Sequence, residues 1–288
     1  MKIRETLSKY YDAIKNKPAE SPLPSFWNTN DIPLLEHNIP SDVLIEGEEQ
    51  DKKYFAMYSE REFINDSWPE VTYELNELGY RTPSFNKLNL DKQQALVFGC
   101  SYTFGIGLQE QQIYTKYLEK GFSNTFQFWN FGCPGASNDF LTRLCWLTIP
   151  IFRPKVVIAQ FTSPNRREYV EENGNLRRVV PNNPRVFIDT NRSYKSLMDL
   201  QNIHWDHYCI EKNIAFLETL SERYDFALIH SQMKDYPLVD KARDDNHPGI
   251  VSNKLFAVNL YKQFLDKTVY RTNREEDLER FLDVIDGQ

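Results

Sequence analysis

Short apolar runs alternate with longer amphipathic stretches through the middle of the chain. The runs that have the length of buried strands cover residues 96–99, 126–131, 155–161 and 226–230. The stretches with apolar residues at helical spacing cover residues 111–119, 138–149, 194–222 and 250–265. Strands and helices that alternate in this way imply right-handed crossovers and a parallel sheet. The pattern therefore predicts an α/β fold in which the four runs are neighbouring parallel strands.

The two ends of the chain depart from this pattern. Residues 1–75 contain scattered aromatic residues and five prolines between Pro18 and Pro40. Because proline fixes the backbone and donates no hydrogen bond, we expect an irregular arm, which either forms a plain surface extension or helps to shape a pocket. Residues 76–268 form the predicted domain. Residues 269–288 are charged, with apolar positions at helical spacing, and predict a small C-terminal helix.

Residues 162–192 are polar and are interrupted by prolines. Such a segment predicts a solvated loop. It contains five arginines between Arg166 and Arg185. An alternative interpretation is a rim that contacts an anionic or sugar substrate, because guanidinium groups bind carboxylates and phosphates bidentately.

Composition narrows the class of protein. Of 288 residues, 41% are hydrophobic and 14% are aromatic, which is enough for a core and argues against wholesale disorder. The formal charge of -7 and the pI near 5.4 argue against a general nucleic-acid or anionic-membrane surface. The chain has no apolar run of the roughly 18 residues that a membrane span needs, and its first residues lack the apolar core of a secretion signal. We therefore expect a cytoplasmic protein.

Cysteine and histidine spacing gives little indication of a metal. The four cysteines lie mostly in or beside apolar segments and predict free thiols, and no two of them have metal-site spacing. His204 and His207 share one face of a predicted helix, but they could hold a metal only with a third ligand from elsewhere. Ordinary helix surface or packing is the simpler interpretation, and we expect no metal and no cofactor.

One stretch carries a candidate nucleophile. The apolar run that begins at Ala95 ends abruptly at Gly99, and Cys100 and Ser101 follow. A strand that stops at a glycine-bounded turn places the next side chain at the carboxyl edge of the sheet, where open α/β sheets bind ligands. A serine held there at the start of a helix is the usual arrangement of an acyl-transfer nucleophile. Taken alone, the stretch favours the simpler interpretation, in which Ser101 merely caps the N-terminus of the following helix.

Two later motifs change that balance. The sequence Asn-Phe-Gly-Cys-Pro-Gly begins at Asn130, after the mostly apolar residues Phe126 to Trp129, and Asp-Asp-Asn-His-Pro-Gly precedes the last long helix. Serine, glycine loop and Asp-x-x-His, in that order, resemble the SGNH/GDSL hydrolase superfamily over roughly residues 76–266. The residues that match its second and last blocks are Asn130, Gly132, Gly135, Asp244, His247 and Pro248.

The other two blocks depart from the family. The first reads Gly99-Cys100-Ser101, with cysteine in place of the usual aspartate. The third, normally Gly-x-Asn-Asp, is replaced by Thr-Ser-Pro-Asn at residues 162–165. Ahead of the nucleophile strand, an Asn-x-x-Gly-Tyr-Arg element at residues 76–81 looks like the segment that precedes this strand in some bacterial and viral SGNH proteins.

The resemblance implies a flavodoxin-like three-layer fold, with a parallel sheet of four to five strands and helices on both faces. It implies a triad in which Ser101 is the nucleophile, His247 the base and Asp244 its acid partner. It also implies an oxyanion hole made of the Ser101 and Gly135 N–H groups and an asparagine side chain. Asn165 is the nearest match to that asparagine, with Ser163 and Thr162 as alternatives.

Some alternatives remain at these positions. Asp245 could replace Asp244, and the Cys100 thiol could be proposed as the nucleophile, although its strand position should point into the core. Asn138 imitates the third block but follows the wrong strand, so we interpret it as part of a helix start. We expect ester hydrolysis of an acyl or acetyl group on a glycan or small polar molecule. The alternatives are an O-acyltransferase with the same triad and a non-catalytic binding module on the same fold.

Overall fold

The computed structural model describes residues 71, 73–76, 79–89, 91–122, 125–170, 176–179, 202–267 and 274–286. The predictions for residues 1–70 lie outside this range. The long helix that the sequence predicts from residue 194 begins instead at Ile203, because Asn202 has an extended backbone and caps the helix with its side chain. The regular elements, in chain order, are β1 (Gln93–Gly99), α1 (Ser101–Phe104), α2 (Tyr114–Gly121), β2 (Phe126–Gly132), α3 (Asn138–Phe152), β3 (Val156–Phe161), β4 (Arg167–Val170), β5 (Leu176–Val179), α4 (Ile203–Tyr224), β6 (Ala227–Gln232), α5 (Ile250–Lys267) and α6 (Arg274–Asp286).

A parallel sheet of four strands, in the order β2-β1-β3-β6, forms the centre of the fold. Gly99 at the end of β1 is in register with Gly132 at the end of β2, and Phe98 is in register with Ala159 of β3. The carboxyl ends of the strands therefore lie at one edge of the sheet. This arrangement confirms that the four predicted strands are parallel neighbours.

Alternate residues of β1 explain why both faces of the sheet carry helices. Leu96 and Phe98 lie in one apolar cluster with residues of α3 and α4. Ala95 and Val97 lie in a second cluster with residues of α2, α5 and α6. Side chains alternate between the faces of a strand, so an unbroken apolar run needs cover on both sides. The result is the three-layer α/β fold that the sequence predicts.

The path of the chain diverges at the carboxyl ends of β1 and β3. From β1 the chain runs by way of α2 to β2 at one side of the sheet. It then returns by way of α3, on the opposite face, to β3 on the other side of β1. Connections that diverge in this way leave a crevice at the carboxyl ends of the two strands. Ser101, which begins α1 directly after β1, lies at this crevice.

The prediction of a solvated loop at residues 162–192 is wrong for the part that the structure describes. β4 and β5 form an antiparallel hairpin. Glu168 of β4 pairs with Arg143 of α3 at 2.8 Å, and their side chains are only 7% and 5% exposed. Arg167 pairs with Asp206 of α4 at 2.7 Å. Charged residues of this segment are buried because their partners come from distant helices, which a local pattern does not reveal.

The predicted end of α3 is also wrong. Instead of stopping at Ile149, the helix continues through Pro150 to Phe152. A proline in the last turn removes one main-chain donor, but Ile151 and Phe152 are buried in the core and favour the extension of the helix. The helix ends at Arg153, whose φ of 47° is left-handed. Of the helices in the described part of the chain, none is long and apolar enough to cross a membrane.

Candidate active site

Ser101 is the first residue of α1 and is 5% exposed. The helix is a single turn, closed by Gly105, whose N–H donates to the Ser101 carbonyl at 2.9 Å. Cys100 precedes it and is fully buried, with its sulfur 3.7 Å from Oε1 of Gln160. The Cys100 side chain thus faces the core, as its strand position predicts, and Ser101 is the better placed of the two for chemistry at the edge of the sheet.

The second motif positions this turn. Asn130 donates from Nδ2 to the Thr103 carbonyl at 2.9 Å, and its Oδ1 accepts from the Gly132 N–H at 2.8 Å. A Cβ added at Gly132 would lie 2.3 Å from the Phe104 nitrogen. Only glycine therefore allows β2 to approach α1 so closely. The two residues hold α1 from the side of β2.

Arg81 holds the same turn from the other side, and sequence reasoning assigned it no role. Its Nη1 donates to the carbonyls of Phe104 and Gly105 at 3.2 and 2.8 Å, and its Nη2 donates to that of Leu108 at 2.8 Å. The side chain is 1% exposed. Its guanidinium lies 4.9 Å from the ring centroid of Tyr73. The signal in the sequence was the Asn-x-x-Gly-Tyr-Arg element, whose last residue reaches the nucleophile turn.

Asp244 and His247 form a buried pair in the loop before α5. Nδ1 of His247 lies 2.5 Å from Oδ2 of Asp244, and the His247 N–H donates to Oδ1 at 3.0 Å. Burial acts to raise the pKa of Asp244, but the hydrogen bonds and charge of His247 outweigh it, and the pKa is lowered. The carboxylate therefore stays ionised at neutral pH. Asp245 pairs instead with Lys241 at 3.4 Å, so the geometry favours Asp244 as the partner of His247.

The Asp-His loop meets the nucleophile turn at two places. The ring of Tyr102, the residue after Ser101, lies edge-on to the His247 ring with a centroid distance of 5.7 Å. The Arg243 N–H donates to the Gly107 carbonyl at 3.3 Å. Residues more than 130 positions apart in the sequence are thereby brought to the same edge of the sheet.

The loop that contains Gly135 borders open space. Gly135 has a φ of 72°, and a Cβ added there would meet no atom within 4 Å. The Cys133 N–H donates to the Gly99 carbonyl at 3.0 Å, which ties this loop to the end of β1, two residues before Ser101. The place that a side chain at residue 135 would occupy is therefore open, next to a loop that is tied to the end of β1.

The segment after β3 forms a tight turn. The Arg166 N–H donates to the Ser163 carbonyl at 3.1 Å, and the Ser163 hydroxyl donates to Oδ1 of Asn165 at 2.7 Å. Asn138, the first residue of α3 as predicted, accepts from the Thr162 N–H at 2.8 Å and donates to its carbonyl at 3.3 Å. Asn138 therefore fixes this turn beside the Gly135 loop.

Within the described residues, no group of three or more His, Cys, Asp or Glu side chains could hold a metal ion. His204 and His207 are both exposed on the first turns of α4.

The chain is similar to several solved structures in fold. A carbohydrate acetylesterase family member from Sinorhizobium meliloti is 13% identical, with a TM-score of 0.33 over 68% of this chain and 94% of that one. A psychrotrophic esterase from a Pseudoalteromonas species is 11% identical, with a TM-score of 0.30 over 68% and 98%. A lipolytic protein of the G-D-S-L family from Veillonella parvula is 12% identical, with a TM-score of 0.31 over 60% and 98%.

Neither a protein-family model nor a curated protein sequence gives a significant match. The first block begins at the last residue of β1, the second begins within β2, and the last block precedes α5. The parallel sheet and the blocks around its carboxyl edge give this chain an SGNH/GDSL-like fold.

Proposed function

We propose that the protein is a serine hydrolase of the SGNH/GDSL type that cleaves an ester through Ser101, His247 and Asp244. The observation that carries the proposal is the buried Asp244–His247 pair, 2.5 Å apart, whose imidazole contacts the residue after Ser101. An imidazole whose Nδ1 is held by a carboxylate leaves its Nε2 to exchange a proton with a nucleophile.

In the proposed reaction, Ser101 Oγ attacks the ester carbonyl carbon while His247 Nε2 takes the hydroxyl proton. Asp244 stabilises the imidazolium that forms. The tetrahedral intermediate collapses, and the leaving alcohol takes the proton from His247. Water then attacks the acyl-serine by the same route, releasing the acid and restoring the serine. An acceptor alcohol in place of water would make the same site an acyltransferase.

The proposed oxyanion donors are the N–H groups of Ser101 and Gly135 and the side chain of Asn165. N–H groups in the first turn of a helix have no partner within the helix, which supports Ser101. The open space beside Gly135 supports the second donor. The Ser163 hydroxyl donates to Oδ1 of Asn165 and so fixes the orientation of the amide. The proposed substrate is a short acyl or acetyl ester of a glycan or small polar molecule.

Hydrolysis of p-nitrophenyl acetate tests the proposal. We expect the wild-type protein to release nitrophenolate, and Ser101→Ala and His247→Gln to lose this activity. The matched control is Ser221→Ala, because Ser221 lies on α4 and its hydroxyl donates to the Glu218 carbonyl of the same helix. An inactive wild type, or a Ser101→Ala variant that keeps its rate, would defeat the proposal. Adding methanol and measuring methyl acetate separates acyl transfer from hydrolysis.

A further inference from the structure

Two adjacent arginines after β3 have different surroundings. Arg167 is used by the fold: it pairs with Asp206 at 2.7 Å and donates to the carbonyls of Pro164 and Arg166. Arg166 forms no ion pair with any residue that the structure describes. Its Nη1 is buried and has no hydrogen-bond partner in the same part of the chain.

A buried guanidinium nitrogen without an acceptor is unfavourable, because it has left water and gained no hydrogen bond in return. The hydroxyl of Thr162, at the start of the same turn, is likewise buried without a partner among the described residues. Nε of Arg167 is also buried without a partner in the described part of the chain, although its Nη groups are engaged. Unsatisfied buried donors are rare in folded proteins, and a bound group that supplies the acceptor is one explanation for them. Three such donors within six residues make this turn the best candidate for a substrate-binding element.

The location of Arg166 connects it with the site of Ser101. The turn follows β3, which is paired with β1, so both segments leave the same edge of the sheet. Burial raises the pKa of the Tyr102 hydroxyl, and the charge of Arg166 acts on it in the opposite direction. Tyr102 in turn contacts His247. Arg166 therefore lies close enough to Tyr102, a neighbour of His247, for the two groups to interact electrostatically.

We propose that Arg166 binds an anionic group, a carboxylate or a phosphate, on the substrate whose ester Ser101 attacks. A guanidinium binds either group with two parallel charge-assisted hydrogen bonds. The carboxylate of Asp244 is already engaged by His247, and those of Glu168 and Asp206 by other arginines, so these groups leave the charge of Arg166 for a ligand. The chain has a formal charge of -7, so the positive charge of Arg166 at this edge is not part of a generally basic surface.

The inference rests on the proposed function, and two matched esters test it. The mono-p-nitrophenyl ester of adipic acid carries a carboxylate, and p-nitrophenyl hexanoate has the same acyl length without the charge. We expect the wild type to prefer the charged ester. Arg166→Met should lower kcat/KM for the charged ester by between about tenfold and about a hundredfold, as for a lost charge-assisted hydrogen bond. The hexanoate should be almost unaffected, and Arg166→Lys should fall between wild type and Arg166→Met.

Arg153→Met is the matched control, because Arg153 is exposed at the end of α3 and opposite to the edge that carries Ser101. It should leave kcat/KM for both esters at the wild-type values. Inhibition of hexanoate cleavage by acetate and by inorganic phosphate identifies the preferred anion. A wild type that prefers the hexanoate, or an Arg166→Met variant that loses both esters equally or neither, would overturn the assignment. If Arg166→Met does not fold, the deciding quantity is the ratio of kcat/KM for the charged ester to kcat/KM for the hexanoate in Arg166→Lys.

Calorimetry separates this inference from the proposed function. Inorganic phosphate and acetate are titrated into Ser101→Ala protein with and without Arg166→Met. A heat of binding for at least one anion that is present with Arg166 and lost in Arg166→Met supports the assignment, even if the wild type cleaves neither ester. No Arg166-dependent heat with either anion contradicts it, whatever the esterase result.

Discussion

Replacing Arg81 with methionine tests how the nucleophile turn is held. The substitution keeps most of the length of the side chain but removes three hydrogen bonds, to the carbonyls of Phe104, Gly105 and Leu108. All three carbonyls belong to α1 or to the loop that follows it, directly after Ser101. The structure therefore predicts a loss of stability that begins at the candidate active site.

The size of the loss follows from the contacts. A buried acceptor that loses its partner costs about 1–3 kcal/mol. The Gly105 carbonyl also accepts from the Leu108 N–H at 3.3 Å, so losing the hydrogen bond from Arg81 costs least at this carbonyl. Methionine also removes a buried charge, which recovers part of the loss. We expect Arg81→Met to lower the free energy of unfolding by about 2–4 kcal/mol, or the Tm by about 5–15 °C for a chain of this size.

Urea denaturation at neutral pH measures the change. Arg280→Met is the matched control, because the Arg280 side chain is 74% exposed and its ion pair with Asp277, on the same helix, is long at 3.7 Å. It should stay within about 0.5 kcal/mol of the wild type. Arg81→Lys should be intermediate, since an ammonium cannot span three carbonyls as a planar guanidinium does. If Arg81→Met proves as stable as Arg280→Met, the reasoning about this turn is refuted.

Four further changes probe other parts of the account. Asn165→Ala should lower kcat for ester hydrolysis by about a hundredfold, and an unchanged kcat would remove Asn165 from the oxyanion hole. Asp244→Asn should lower kcat by about a thousandfold or more while Asp245→Asn has little effect, and equal losses in steady-state kinetics would contradict the pairing with His247. Gly132→Ala should lower the Tm measurably, because its Cβ would lie 2.3 Å from the Phe104 nitrogen, and an unchanged Tm would contradict that close approach. Burial lowers the pKa of His230, so the unfolded chain binds a proton at this histidine more readily than the folded protein does, and the free energy of unfolding should fall as the pH drops through about 6.5. In urea titrations His230→Gln should reduce this fall, and a pH profile identical to that of the wild type would contradict the burial of His230.

The sheet could be predicted from the sequence because its signal is local. Each strand is a short apolar run, and in β1 both alternate sets of residues are apolar, as a strand with helices on both faces requires. The Asp-x-x-His spacing is similarly local, since both side chains lie on one loop and meet at 2.5 Å. Such short-range patterns predicted the positions of β1 and of the Asp244–His247 pair.

What the sequence did not predict depends on contacts between distant segments. Arg143 and Glu168 are buried because α3 and β4 meet, and the local sequence around either residue does not indicate its partner. Arg81 donates to carbonyls 23 to 27 residues away. The difference between Arg166 and Arg167 follows from the position of Asp206 on α4. A charged residue in a polar segment has the same local pattern whether it is solvated, structural or available to a ligand.

The measurement that tests the central claim most directly is labelling with a fluorophosphonate, followed by mass spectrometry of the proteolytic peptides. A serine with an adjacent histidine base attacks the phosphorus, displaces fluoride and keeps the phosphonyl group on its Oγ. The account predicts one adduct, on the peptide that contains Ser101, and no adduct in Ser101→Ala or His247→Gln. A wild-type protein that takes up no label, or one labelled at a different serine, would contradict it.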